Sequence, residues 1–174
     1  MENGPDRENL SERKIDGAAD HLVGQILPAV DLRASDSSTV NLADNLGTIV
    51  VFAYPEITTL ENTTQARSFR DQNIQIQFSG ADHIFGLSTQ DCLDLREAAS
   101  LLHLPYLLLS DSELKLAHGL ALPTTQVDGD VLLERLTMIL YGGKIIKIFY
   151  PVFPPDKNAG VVLTWLRENL PIIP

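Results

Sequence analysis

Thr48-Ile49-Val50-Val51-Phe52-Ala53-Tyr54 is a run of β-branched and aromatic residues with no polar position after Thr48, and it stops at Pro55. A strand with one wet face alternates apolar and polar residues, whereas one covered on both faces does not. The run therefore predicts a buried central strand, which needs neighbouring strands beside it and a layer over each face. Segments suited to those layers follow. Residues 63 to 77 fit a helix with a polar, charged outer face. Asp91 to Leu102 fit another, with Leu93, Leu95, Ala98, Ala99 and Leu102 as its apolar positions. Between them His83 to Ser88 reads as a second short buried strand.

Pro105 to Leu109 continue the pattern, and Ser110-Asp111 suit the cap of a helix from Glu113 to His118. Arg135 to Tyr141 and Lys144 to Tyr150 flank Gly142-Gly143, and two strands around a two-residue glycine turn predict a hairpin. A last amphipathic helix is expected from Asn158 to Asn169, with Val161, Val162, Trp165 and Leu166 on its apolar side. Alternating strands and helices followed by a hairpin give an α/β layered sheet with an antiparallel part. Residues 1–22 are polar and charge-rich and read as a flexible arm, leaving 23–174 as one domain.

Charge and cysteine content narrow the partners. The 23 acidic residues outnumber 13 basic ones, for a net charge of -10, which argues against a nucleic-acid backbone or an anionic membrane as partner. No stretch approaches the roughly 20 apolar residues of a membrane helix. Cys92 is the only cysteine, so no intrachain disulfide is possible. The start of the chain carries no apolar signal region, and the expectation is a reduced, cytoplasmic compartment. His21, His83, His103 and His118 show no metal-ligand spacing, so neither a metal nor a cofactor is expected.

The chemistry-bearing segment starts where the central strand ends, the edge at which open α/β sheets place their sites. There Pro55-x-x-x-Thr59-x-x-Asn62, continued by Phe69-Arg70-Asp71, resembles the peroxiredoxins, thiol peroxidases of thioredoxin-like fold, and most of all their PrxQ type. Gly86-Leu87-Ser88-Thr89-Gln90-Asp91, Leu104-Pro105-Tyr106-Leu107-Leu108-Leu109-Ser110-Asp111 and Phe149-Tyr150-Pro151-Val152-Phe153-Pro154-Pro155-Asp156 are similar to further family segments. The resemblance implies a mixed central sheet flanked by helices. It also implies that the family's peroxidatic cysteine position is held by Asn62 and a frequent resolving-cysteine position by Arg67. Leu60 and Glu61 stand where proline and glycine are frequent. Peroxide reduction needs a thiolate that becomes a sulfenic acid, and an asparagine amide has neither the nucleophile nor the redox states.

Thr59, Asn62 and Arg135, the last matching the family's active-site arginine, are the expected catalytic residues. With free N–H groups at a helix start near Thr63, they would form a donor-rich pocket suited to a carboxylate, a carbonyl or a developing enolate. Tyr54, Pro55, Leu60 and Glu61 are the expected substrate contacts. Glu56 and Glu61 are either general bases or solvated carboxylates. Asn62-Thr63-Thr64-Gln65 also has capping-box spacing, under which Asn62 caps its helix. Cys92, in a helix first turn, is an alternative redox thiol. The expectation is a cofactor-free enzyme of isomerase, cyclase or lyase type acting on a small molecule, as monomer or homodimer. The alternatives are a thiol peroxidase through Cys92 and a binding pseudoenzyme that uses the pocket or Tyr150 to Pro155.

Overall fold

All residues of the apolar run are buried, and they alternate between two separate cores. The computed structural model describes residues 16–57 and 63–170. In chain order, β1 (Asp31–Ala34) and β2 (Thr39–Asn41) pair antiparallel, and β3 (Thr48–Ala53) leads toward α1 (Thr64–Asp71) and α2 (Asn73–Phe78). β4 (His83–Ser88) runs into α3 (Cys92–Leu102), and β5 (Leu107–Ser110) into α4 (Lys115–Leu120). β6 (Thr124–Val127) and β7 (Asp130–Leu133) form a small hairpin of their own; β8 (Leu136–Tyr141), β9 (Lys144–Phe149) and α5 (Asn158–Asn169) complete the chain.

The main sheet has the order β2-β1-β5-β4-β3-β8-β9. β3, β4 and β5 are parallel to one another, while β8, β9 and β1 run antiparallel to their neighbours. This is the mixed sheet flanked by helices that the resemblance implies. Ile49, Val51 and Ala53 face the core that includes α4 through Leu116, Ala117 and Leu120. Val50, Phe52 and Tyr54 face the other core, against Phe69 of α1, Leu95 of α3 and Val162 and Leu166 of α5. Phe52 and Phe69 stack with ring centroids 4.5 Å apart. The β8–β9 turn is the expected glycine pair, with φ of 59° at Gly142 and 75° at Gly143, the geometry that a two-residue hairpin asks for.

Several boundaries differ from the sequence expectation. The helix over 63 to 77 is two helices, broken at Gln72 between Asp71 and Asn73, residues whose short polar side chains compete with helical hydrogen bonds. Leu93 and Val161 are exposed rather than core-facing. The buried stripe of α3 is Leu95, Ala98 and Leu102, and that of α5 is Ala159, Val162, Leu163 and Leu166; both follow three- and four-residue steps that leave Leu93 and Val161 on the outside. The expected arm is also too long. Ala19 and Leu22 are buried in the α4-side core, and His21 Nε2 lies 2.9 Å from the Leu120 carbonyl, so the packed part begins before Val23.

Candidate functional site

Ala53, the last residue of β3, pairs with Leu87 of β4 on one side and Leu136 of β8 on the other. Arg135 immediately precedes Leu136, so the register of β8 delivers its guanidinium to the C-terminal end of the central strand. There Arg135 Nη1 donates to Gln65 Oε1 over 2.9 Å. Gln65 is the second residue of α1 and is fully buried. Its Nε2 donates to Asn158 Oδ1 at 3.2 Å, and Thr137 Oγ1 lies 2.6 Å from the same oxygen. Burial pulls the Arg135 pKa down from its ordinary value to about 10, which leaves the side chain cationic at neutral pH. A half-buried cation at a parallel-strand terminus is a ready partner for an oxyanion or carboxylate.

The loop leading away from β3 is fixed by an amide. Gln90 accepts from the Ile57 N–H at 2.9 Å through Oε1 and donates to the Ile57 carbonyl at 3.3 Å through Nε2, as a neighbouring strand would. Pro55, Glu56 and Ile57 are buried along that path. Thr59, Leu60, Glu61 and Asn62 lie outside the described residues. Gln65 bears on the capping-box reading: its side chain, which a box would turn back to Asn62, instead reaches Arg135 and Asn158.

Tyr54 corrects one expectation. It is buried within the core beside Phe52, ring centroids 5.8 Å apart, because it continues the inward face of Val50 and Phe52. That position makes it a packing residue rather than a substrate contact. Burial raises its pKa, and an interaction with the Ser88 side chain works against that rise.

Cys92 is the first residue of α3, and its Sγ–H donates to the Ala34 carbonyl of β1 at 3.1 Å. β1 stands four strand positions from β8 in the sheet. At about 4.8 Å per strand, the thiol is roughly 19 Å from the Arg135 end of β8. The structure thus does not bring Cys92 and Arg135 together.

Glu134, next to Arg135, accepts from Thr125 Oγ1 at 2.9 Å and from the Tyr150 hydroxyl at 2.5 Å. It ties β6 and the segment after β9 to the start of β8. Among the described residues no group of three or more His, Cys, Asp or Glu side chains is placed to hold a metal ion. Gln65, Gln90, Thr137 and Asn158 escaped the sequence reading. Only Gln65 carried a local signal, as the last residue of the capping-box spacing, and that signal pointed to a different bond.

Residues 23–147 match the AhpC/TSA family. The chain is 30% identical over 147 residues to the chloroplastic peroxiredoxin Q of Suaeda salsa, with 83% of this chain and 67% of that protein covered. It is 30% identical over 149 residues to the chloroplastic peroxiredoxin Q of Arabidopsis thaliana, with 83% and 66% covered. The chain thus spans about two thirds of the length of these relatives. Among solved structures, peroxidoxin BcpB of Mycobacterium tuberculosis superposes with a TM-score of 0.75 at 24% identity, over 85% of this chain and 97% of that one. A Xylella fastidiosa PrxQ variant gives 0.76 at 20% identity, over 86% and 98%. These two likenesses concern the fold.

Proposed function

The chain belongs to the AhpC/TSA family, and on that premise we propose that it is a peroxiredoxin-fold protein repurposed for non-redox work on a small organic molecule. On this reading Asn62 occupies the peroxidatic position, and Thr59, Asn62 and Arg135 supply donors to an oxygen that carries or develops negative charge. Proton transfer, isomerisation, cyclisation or a lyase step are the reaction types such a site favours, with no cofactor.

The observation that carries the proposal is Arg135. Even a half-buried cation loses hydration that hydrogen bonds must offset, and this one is braced at the end of β3 by Gln65. The peroxidase alternative has less support: between Tyr54 and Thr63 the sequence has no cysteine, and the one thiol is bonded to β1.

A thermal-shift screen of small monocarboxylates, 2-oxo acids and enolisable ketones tests the proposal. At least one class should raise the Tm of the wild-type protein and leave Arg135→Ala unmoved. Equal shifts in both proteins, or none in either, would overturn it.

A further inference from the structure

Arg135, Gln65, Asn158 and Thr137 close a hydrogen-bonded ring through three elements of the fold. Arg135 and Thr137 flank Leu136 at the start of β8, two residues apart and so on the same face of the strand. From Arg135 the ring crosses to Gln65 on α1, passes to Asn158, the first residue of α5, and returns to Thr137. Gln65, Thr137 and Asn158 are all buried, so water cannot substitute for a missing partner without a cavity opening.

The ring has a fixed direction. A guanidinium only donates, so Gln65 must present Oε1 to Arg135 and therefore Nε2 to Asn158. That Nε2 also only donates, so Asn158 must present Oδ1. The Thr137 hydroxyl, facing an oxygen that only accepts, must donate. Each group's orientation is dictated by the one before it, and Asn158 Oδ1 is where two donors converge. Removing that oxygen leaves the buried Gln65 Nε2 without its acceptor, so the amide is no longer held from both ends and its grip on Arg135 loosens.

We propose that Asn158, held by Thr137, is a positioning residue that fixes the Gln65 amide and through it the orientation of the Arg135 guanidinium. This extends the proposed site to α5, and its functional meaning rests on that site being the working one. Asn158 directly follows the segment 150–157 and lines a cleft of about 300 Å³ with Phe149, Pro151 and Phe153.

The test reads the guanidinium itself. In side-chain 15N NMR of the full chain at pH 7, a held Arg135 gives separate, slowly exchanging Nη resonances, assigned by their loss in Arg135→Ala. Asn158→Ala and Thr137→Val should merge them, Thr137→Ser should keep them separate, and Val162→Ala, a cavity on the same helix, should also keep them separate. Separate resonances in both Asn158→Ala and Thr137→Val would overturn the proposal; so would merged ones in Val162→Ala, because loosened packing would then explain the effect.

A second readout distinguishes this from the functional reading. In an Asn62→Cys background, Asn158→Ala should move the thiol pKa in the same direction as Arg135→Ala. If Arg135→Ala leaves that pKa unmoved while the NMR result holds, the placement of residue 62 beside the arginine fails and the positioning role stands.

Discussion

Arg135 and Gln65 lie 70 residues apart in sequence, yet their 2.9 Å hydrogen bond joins the start of β8 to the first turn of α1. The bond exists because β8 pairs antiparallel with β3 in a register that sets Leu136 opposite Ala53, while the chain leaving β3 returns as α1. The cation, the helix start and the end of the central strand therefore meet at one place. The functional account depends on that meeting point.

The protein should reduce hydrogen peroxide no faster than free cysteine does. Consumption of peroxide with dithiothreitol or thioredoxin as donor should be negligible and unchanged in Cys92→Ser. Turnover that disappears in Cys92→Ser would restore the peroxidase alternative.

Asn62→Cys should place a thiol where a cation and a helix N-terminus favour its thiolate. Favouring the charged form lowers a thiol pKa, so titration by thiolate absorbance should give a value below the ordinary 8.5 or so. Arg135→Ala in the same background should raise it. A thiol that titrates like free cysteine in both proteins would remove Asn62 from the site.

Much of the fold was legible because its signals are local. The uninterrupted apolar run marked β3, Gly142-Gly143 marked the β8–β9 hairpin, and the bounds of α5 agree residue for residue with the expected Asn158 to Asn169. β1, β2, β6 and β7 are not expected from the sequence: strands of three or four residues are too short for even the clean alternation of β1 and β6 to stand out from a loop. The site was legible only in part. Arg135 stands out through the resemblance, but nothing near Thr137 or Asn158 in sequence signals their bond to each other or that of Asn158 to Gln65. Tyr54 stands at the end of β3, beside the site, yet the two-residue period of the strand turns it into the core with Val50 and Phe52.

Gly86→Ala tests the packing beneath the site. A Cβ at Gly86 would lie 2.5 Å from Leu108 Cδ2, 3.0 Å from Phe52 Cζ and 3.2 Å from Tyr54 Cε1. Overpacking of this kind costs about 1–3 kcal/mol. Urea unfolding should show that loss with an unchanged m-value, whereas a neutral result would mean that β4 can move away from β3 at little cost.

Tyr150 gives the alkaline dependence. Burial, and then its hydrogen bond to Glu134, raise its pKa, so the fold favours the neutral phenol. The stabilisation is complete below the unfolded value near 10 and is lost as pH rises through the higher folded value. Tyr150→Phe should therefore be less stable than wild type at pH 8, with the gap closing above about pH 10. A gap that stays constant through that range would show that Glu134 does not hold the phenol neutral.

The most direct test of the central claim is calorimetric titration of the best carboxylate or 2-oxo acid from the screen into wild type and Arg135→Ala, with unfolding free energies measured in parallel. A hydrogen bond to a charged group contributes about 1.5–3 kcal/mol, so affinity should fall roughly 10- to 100-fold, well beyond any change in stability. Affinity that survives the substitution, or falls only in step with stability, would contradict the claim that Arg135 holds the ligand.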